Sequence, residues 1–178
     1  MHFIKTKKIL YFIIIIIFFM LPEYVFADVW ENQVQIENIT AKLPEIKSIK
    51  CKFRQEKLLP DIEKPILSSG DFEFIENNGV YFYTTYPVKY TVDYTNKNYK
   101  QINDIIRAIS EKKYKKLEKE FNFYFQENKP NWIVGLKPDE NQKTADFLYS
   151  ILIEGSDYIQ KIKIEMHNGS STTLWFEK

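Results

Sequence analysis

The sequence predicts an α+β fold in which about nine strands form one large, mostly antiparallel sheet beside two helical regions. Three observations support this prediction. Short segments with alternating apolar side chains recur along most of the chain. Turns rich in Asn, Gly, Pro and Asp separate these segments, and such short connections favour antiparallel pairing. Two other segments carry apolar residues at helical spacing.

The first 27 residues have the layout of a cleaved secretory signal peptide. Three lysines within residues 5–8 precede an unbroken apolar run of 13 residues over 9–21, and small residues stand before the predicted cleavage after Ala27. The run is short for a membrane-spanning helix. We therefore expect export to the periplasm and one soluble domain over residues 28–178, with an uncleaved anchor as the alternative.

Charge and the few reactive residues argue against several function classes. The signal peptide holds three Lys and one Glu of a chain with net charge +1, so the mature protein has a net charge of about −1 and no sign of nucleic-acid binding. Cys51 is the sole cysteine, and its place between Ile49 and Phe53 predicts a buried, inert thiol. His167 is the sole histidine after the signal peptide, and no G-x-S-x-G motif is present. We expect that the protein binds no metal and no cofactor and that it is not an enzyme. An exported hydrolase is the less favoured alternative.

The sequence of the first half of the domain predicts one helix and four strands. Apolar residues at roughly helical spacing over 29–43 predict an N-terminal amphipathic helix that ends at Pro44. Alternation over 46–58 predicts a half-buried strand. The turn Asn77-Asn78-Gly79 is typical of a hairpin, because Asn and Gly tolerate positive φ. The other predicted strands are 71–75, 80–86 and 89–95.

The second half predicts a helical region and five strands. Residues 98–121 place isoleucines on one side and a run of lysines on the other, with a break near Ser110, which can cap a second helix. The predicted strands are 122–126, 132–137, 147–154, 158–166 and 172–177.

Aromatic residues, at 16% of the chain, gather in residues 72–94 and 121–125 and predict a strongly apolar sheet face. Such side chains either fill a core or line a cavity for an apolar ligand. Composition alone leaves both interpretations open.

Five motifs follow one another in a fixed order along the domain. They are FRQEK at 53–57, SGDFEF at 69–74 after Pro65, GVYFY at 79–83 with Tyr86-Pro87, WIVGLKP at 132–138, and a terminal hairpin over 162–176 with Asn168-Gly169 at its turn. As an ordered set they resemble the LolA-type outer-membrane lipoprotein carriers, in particular a divergent LolA-like branch. The resemblance spans nearly the whole of residues 28–178.

The resemblance implies an unclosed antiparallel barrel covered by an N-terminal helix and a helical lid. The polar link before residue 69 would be a loop at the barrel rim. The cavity would shelter acyl chains of lipoproteins or related lipids between an inner-membrane donor and an outer-membrane acceptor, and the carrier would be a monomer. The residues expected to line the cavity are Phe53, Phe72, Phe74, Phe82, Tyr90, Ile105, Ile109, Phe121, Phe123, Trp132, Leu136, Ile162, Ile164 and Trp175.

The chain departs from the family at one point. Typical carriers have an Arg-Pro pair before the aromatic strand, where the arginine helps to hold the lid, whereas this chain has Glu76-Asn77-Asn78. The cargo class therefore extends to a glycolipid or a free acyl lipid. The alternative from a different class is a non-catalytic periplasmic binding or adaptor module with a filled core.

Overall fold

The computed structural model describes residues 28–93, 100–114 and 117–178. The predicted signal peptide, its cleavage after Ala27 and the end of the strand predicted over 89–95 lie outside these residues. Among the helices that the structure describes, none is both long enough and apolar enough to cross a membrane.

Ten strands and two α-helices make up the described part of the chain. The strands are β1 (Gln33–Val34), β2 (Ser48–Leu59), β3 (Ile62–Ile75), β4 (Gly79–Tyr86), β5 (Tyr90–Asp93), β6 (Phe121–Asn128), β7 (Asn131–Pro138), β8 (Leu148–Gly155), β9 (Ile159–Met166) and β10 (Ser171–Glu177). The α-helices are α1 (Ile36–Thr40) and α2 (Lys100–Glu111), and short 3-10 helices cover Val29–Glu31 and Lys143–Asp146.

All ten strands belong to one antiparallel sheet, in the order β1-β6-β7-β8-β9-β10-β2-β3-β4-β5. β1 and β5 are the two edges and do not pair with each other, so the sheet is curled but not closed. The predicted α+β class with one large antiparallel sheet is confirmed.

The polar link before residue 69 is strand, and the prediction of a loop there is wrong. β3 begins at Ile62, and its first residues continue the ladder with β2, where Lys57 pairs with Ile66. Pro65 lies where this register shifts. β4 pairs with β3 only from Ser69 onward, so Pro65 lies on a stretch with one free edge, where its missing N–H is tolerated.

The N-terminal helix predicted over 29–43 is mostly wrong, because only Ile36–Thr40 is α-helical. Gln33 and Val34 instead pair with Tyr124 and Phe123 as β1, the strand that raises the predicted nine to ten. Without β1, the backbone groups at this edge of β6 would have no partner strand. Pairing with residues 32–34 satisfies them, and the Phe125 N–H donates to the Asn32 carbonyl at 3.1 Å.

α2 ends at Glu111, which confirms the predicted break near Ser110. Ser110 itself is buried inside the helix, so the predicted start of a second helix at this residue is wrong. Lys112 follows in the left-handed region with φ 54°, a conformation that ends helices. Ile105, Ile106 and Ile109 are buried. The apolar side of the helix therefore faces the protein interior, as the helical spacing predicts.

The core lies between one face of the sheet and the two helices. Along β2, Ile49 and Phe53 are buried while Lys50, Lys52 and Arg54 are exposed, which confirms the predicted alternation. The buried side chains of β2–β4, β6–β10, α1 and α2 form one cluster. We call the sheet face that carries this cluster the concave face, and the opposite face the convex face.

Gly70 lies where the β3–β4 register shifts, and a side chain there has no room. A Cβ atom would come 2.1 Å from the Tyr83 carbonyl oxygen and 2.9 Å from Thr84 Cα. We expect Gly70→Ala to lower the free energy of unfolding in urea by about 2 kcal/mol or more, since the backbone of β4 must shift. The neighbouring Ser69→Ala should cost about 0.5 kcal/mol or less. Equal losses in the two variants would contradict this packing.

Candidate functional site

Most of the predicted lining residues meet on the concave face. Eleven of them belong to the single buried cluster: Phe53, Phe72, Phe74, Phe82, Ile105, Ile109, Phe121, Phe123, Trp132, Leu136 and Ile162. They come from six of the ten strands and from α2, which packs against the face. The antiparallel register brings these side chains to one side of the sheet.

The other three predicted lining residues are not members of the buried cluster. Ile164 is half-buried and packs against the cluster from the same side of β9 as Ile162, and Tyr90 is 47% exposed on β5. Trp175 lies on the convex face, because it pairs with Arg54, and the Arg54 guanidinium stands 3.9 Å from its ring centroid. Trp175 therefore does not line the concave face.

The prediction missed inward-facing neighbours on the same strand. Leu174 and Phe176 flank Trp175 and are 1% and 3% exposed. Phe176 pairs with Phe53, whose inward direction the alternation of β2 predicts. Strict application of the two-residue period to residues 174–176 could have found them.

Phenylalanine rings form the middle of the concave face. Phe72 contacts Phe82 with ring centroids 5.0 Å apart and Phe176 with centroids 4.5 Å apart. Phe53 and Phe82 meet edge to face at 4.9 Å. These tilted contacts hold the rings in fixed positions and leave no polar atom that needs a partner.

Beside the described side chains of α2, residues 104–111, the space between the helix and the sheet is nearly full. A void of about 10 Å³ remains, bordered by Ile106 and Ser110 from α2 and by Phe72, Phe74 and Phe176 from the sheet. A void of this size holds roughly one water molecule. Side chains of α2 thus fill the space that the resemblance assigns to acyl chains.

A buried carboxylate holds the end of α2 to the turn between β3 and β4. The Glu111 side chain is 1% exposed and accepts hydrogen bonds from Arg107 Nε at 3.1 Å, Lys113 Nζ at 2.8 Å and the Asn77 backbone N–H at 3.1 Å. Lys113 Nζ also donates to Asn77 Oδ1 at 3.1 Å. We call these four residues the Glu111 cluster. One further hydrogen bond, from Ile46 N–H to the Ser110 carbonyl at 3.0 Å, fixes the same end of the helix.

The Glu111 cluster keeps its carboxylate charged. Burial pushes the pKa of Glu111 upward, but the hydrogen bonds from Arg107, Lys113 and the Asn77 N–H outweigh burial and lower the pKa to about 2. Glu111 is therefore ionised at neutral pH, and its bonds to α2 and to the turn are charge-assisted.

Exposed apolar side chains gather at the opposite end of the sheet from Asn77. The strand register brings the β2–β3 turn, the end of β4 and the start of β8 to this end. We call this surface the apolar rim: Leu58, Ile62, Ile66, Leu67, Tyr86, Val88, Tyr90, Phe147 and Tyr149, each at least 42% exposed. One other large apolar side chain among the described residues is exposed, that of Tyr83, and it lies outside the apolar rim.

The described residues with the most reactive side chains, Cys51 and His167, lie on different elements of the fold. Cys51 is half-buried and not fully buried as predicted, and burial raises the pKa of its thiol to about 11. His167 lies in the turn between β9 and β10, with its ring 5.5 Å from that of Tyr149. Within residues 28–93, 100–114 and 117–178, no three His, Cys, Asp or Glu side chains come together as a metal site would require.

The chain matches no model of a known protein family, and no curated protein matches it significantly. A function therefore has to follow from the fold and from its side chains.

Proposed function

We propose that the protein is a periplasmic carrier that shelters acyl chains of a lipoprotein or a related lipid. The observation that carries the proposal is the concave face, which is apolar across most strands of an open sheet and is covered by a helix of the same chain. Each methylene of an acyl chain that leaves water for such a face gains about 0.8 kcal/mol. The predicted signal peptide supports the periplasm as the place of action.

α2 acts as the lid in this proposal. Because the void beside Ile106 and Ser110 is about 10 Å³, an acyl chain can lie between these residues and the sheet only when α2 moves away. Ile105, Ile106 and Ile109 would then give up apolar contacts that the acyl chain replaces with similar ones. The net free energy of the exchange is small, and this makes loading and release reversible.

The Glu111 cluster takes the role that an arginine before the aromatic strand has in the family that the sequence resembles. It joins α2 to residues 76–78, where that arginine is missing. The charged group lies on the other partner: here the helix carries the anion, Glu111, and the turn before the aromatic strand supplies a backbone N–H donor in place of an arginine. Opening of the lid at this end requires the loss of these charge-assisted bonds.

The apolar rim is the proposed entrance for the acyl chain. Ile66 pairs with Lys57 on the same side of β3 as Phe72 and Phe74, so at Ile66 the rim continues the concave face. An inner-membrane donor and an outer-membrane acceptor would contact the protein at this end. The protein would act as a monomer, without chemistry on its cargo.

The test measures acyl binding and movement of α2 together. Residues 28–178, purified without detergent, are titrated with a fluorescent fatty acid, and native mass spectrometry counts the bound acyl chains. We expect one saturable site and faster amide exchange in residues 105–111 on loading, while β8 and β9 stay protected. Binding with no change in α2 would contradict the lid.

The nearly full interior also favours a second candidate, an adaptor with a permanently filled core. It predicts no uptake of the fatty acid and no bound lipid in the protein from periplasm. Uptake in the titration therefore separates the two candidates.

A further inference from the structure

The convex face carries a groove that the carrier proposal does not use. The groove has a volume of about 710 Å³ and lies beside the 3-10 helix Val29–Glu31, across β6, β7 and β8. This volume is within the roughly 300–1,000 Å³ of small-molecule sites. We call it the convex groove; its borders include Trp30, Gln126, Asn131, Ile133, Leu152 and Gln160.

The floor of the convex groove is apolar. Ile133 on β7 and Leu152 on β8 are half-buried and belong to its border. Gly135 leaves room for the Trp30 indole, since a Cβ at this glycine would lie 2.6 Å from Trp30 Cζ3. The half-buried indole also meets the Tyr124 ring edge to face at 5.3 Å, so the wall that it forms is held in place.

Four carboxamides surround this floor, from Gln126, Asn128, Asn131 and Gln160. None of these four side chains hydrogen-bonds to another residue in the part of the chain that the structure describes. Each carboxamide offers two donors and an acceptor. The groove therefore presents unpartnered donors and acceptors around an apolar surface.

The charges of the convex groove do not suit an anion. No lysine or arginine is among its described lining residues. Its two carboxylates have partners: Glu154 accepts from Lys161 Nζ at 2.7 Å, and Asp28 accepts from the Trp30 N–H at 3.2 Å. Two lysines next to these residues are engaged, Lys161 with Glu154 and Lys137 with the Trp30 ring at 4.8 Å from its centroid. A phosphate or a nucleic acid would therefore meet two carboxylates and no cation among the lining residues, whereas a neutral ligand meets no opposing charge.

We propose that the convex groove binds a neutral glycan. A pyranose ring has an apolar C–H face, which fits Ile133, Leu152 and the indole of Trp30. Its equatorial hydroxyls both donate and accept, which matches the carboxamides. The sheet separates the groove from the concave face, so the sugar of a lipid whose chains lie under α2 cannot reach it; the ligand is a free oligosaccharide or polysaccharide. This proposal does not rest on the carrier function.

The test uses two neutral tetrasaccharides, chitotetraose and maltotetraose, titrated into residues 28–178 by calorimetry. We expect at least one to bind saturably. The double variant Gln126→Ala/Asn131→Ala should bind about tenfold more weakly, since two hydrogen bonds are lost together.

The matched control is Gln35→Ala/Asn38→Ala, which removes two exposed carboxamides outside the groove. It should bind as the wild type does, and circular dichroism should show that both variants are folded. Absence of binding of both sugars, or equal binding by the two double variants, would overturn the proposal. The proposal would also be overturned if neither sugar bound while tetra-alanine bound and the groove variant weakened its binding. The groove would then be a peptide site.

Discussion

Phe74→Ala is expected to lower the free energy of unfolding by about 3–5 kcal/mol. The Phe74 side chain is 1% exposed, lies between Ile49 on β2 and Val80 on β4, and borders the void beside α2. Removal of the ring enlarges this void, and the strands cannot fully collapse into it because their register is fixed on both sides. Urea denaturation followed by circular dichroism measures the loss.

Tyr83→Ala is the control, since this side chain is 38% exposed on the other face of β4. It should cost about 1 kcal/mol or less. The enlarged void in Phe74→Ala should also accept benzene, which then raises the unfolding temperature of the variant and leaves that of the wild type unchanged. A loss below about 1 kcal/mol for Phe74→Ala would mean that the concave face is not packed as described.

Glu111→Gln is expected to strengthen acyl binding while it weakens the fold. The amide cannot accept from both Arg107 and Lys113 as the carboxylate does, so the closed position of α2 should lose about 2 kcal/mol. If an acyl chain binds only when α2 has moved, a less stable closed state raises the apparent affinity, by about tenfold or more. Titration with the fluorescent fatty acid at neutral pH measures this change.

The same carboxylate makes an acid-dependent contribution to stability. Its pKa is lowered from 4.5 to about 2 in the folded protein, so the contribution is fully present above about pH 4.5 and is lost as the pH falls toward 2. The free energy of unfolding of the wild type should fall over this range, and the fall should be smaller in Glu111→Gln.

Glu118→Gln serves as the control because its carboxylate is exposed on the segment that follows α2. It should leave the fatty-acid affinity unchanged. Equal affinities in Glu111→Gln and the wild type, despite a measurable loss of stability, would show that acyl chains bind without displacing α2.

The sequence predicts the parts of the fold that local patterns determine. The alternation of β2 and the strands β6 to β10 are found within about two residues of their predicted bounds. β1 could not be predicted, because two residues become a strand only where the free edge of β6 lies beside them. The start of β3 contains Pro65 and charged residues, and its pairing with β2 overrides this composition.

For the candidate site, too, local patterns predict some parts, and tertiary structure alone determines the others. Aromatic alternation predicts most of the concave face. The prediction for Trp175 is wrong, although its buried neighbours Leu174 and Phe176 show the two-residue period. The Glu111 cluster gives no sequence signal, because Glu111 precedes a lysine-rich segment that is typical of a solvated surface. Its partner Asn77 lies 34 residues away and is brought near by tertiary structure alone.

The position of β10 has a consequence for the order in which the protein folds. β2 to β5 form one local meander and β6 to β9 another, and β10 is the strand that joins them, pairing with β9 on one side and β2 on the other. Each meander can form from contacts between neighbouring segments, whereas the pairing of Phe176 with Phe53 must close a long loop, which slows folding. The concave face is therefore divided into two halves until β10 docks, and this step should limit the rate at which the protein becomes able to bind its ligand.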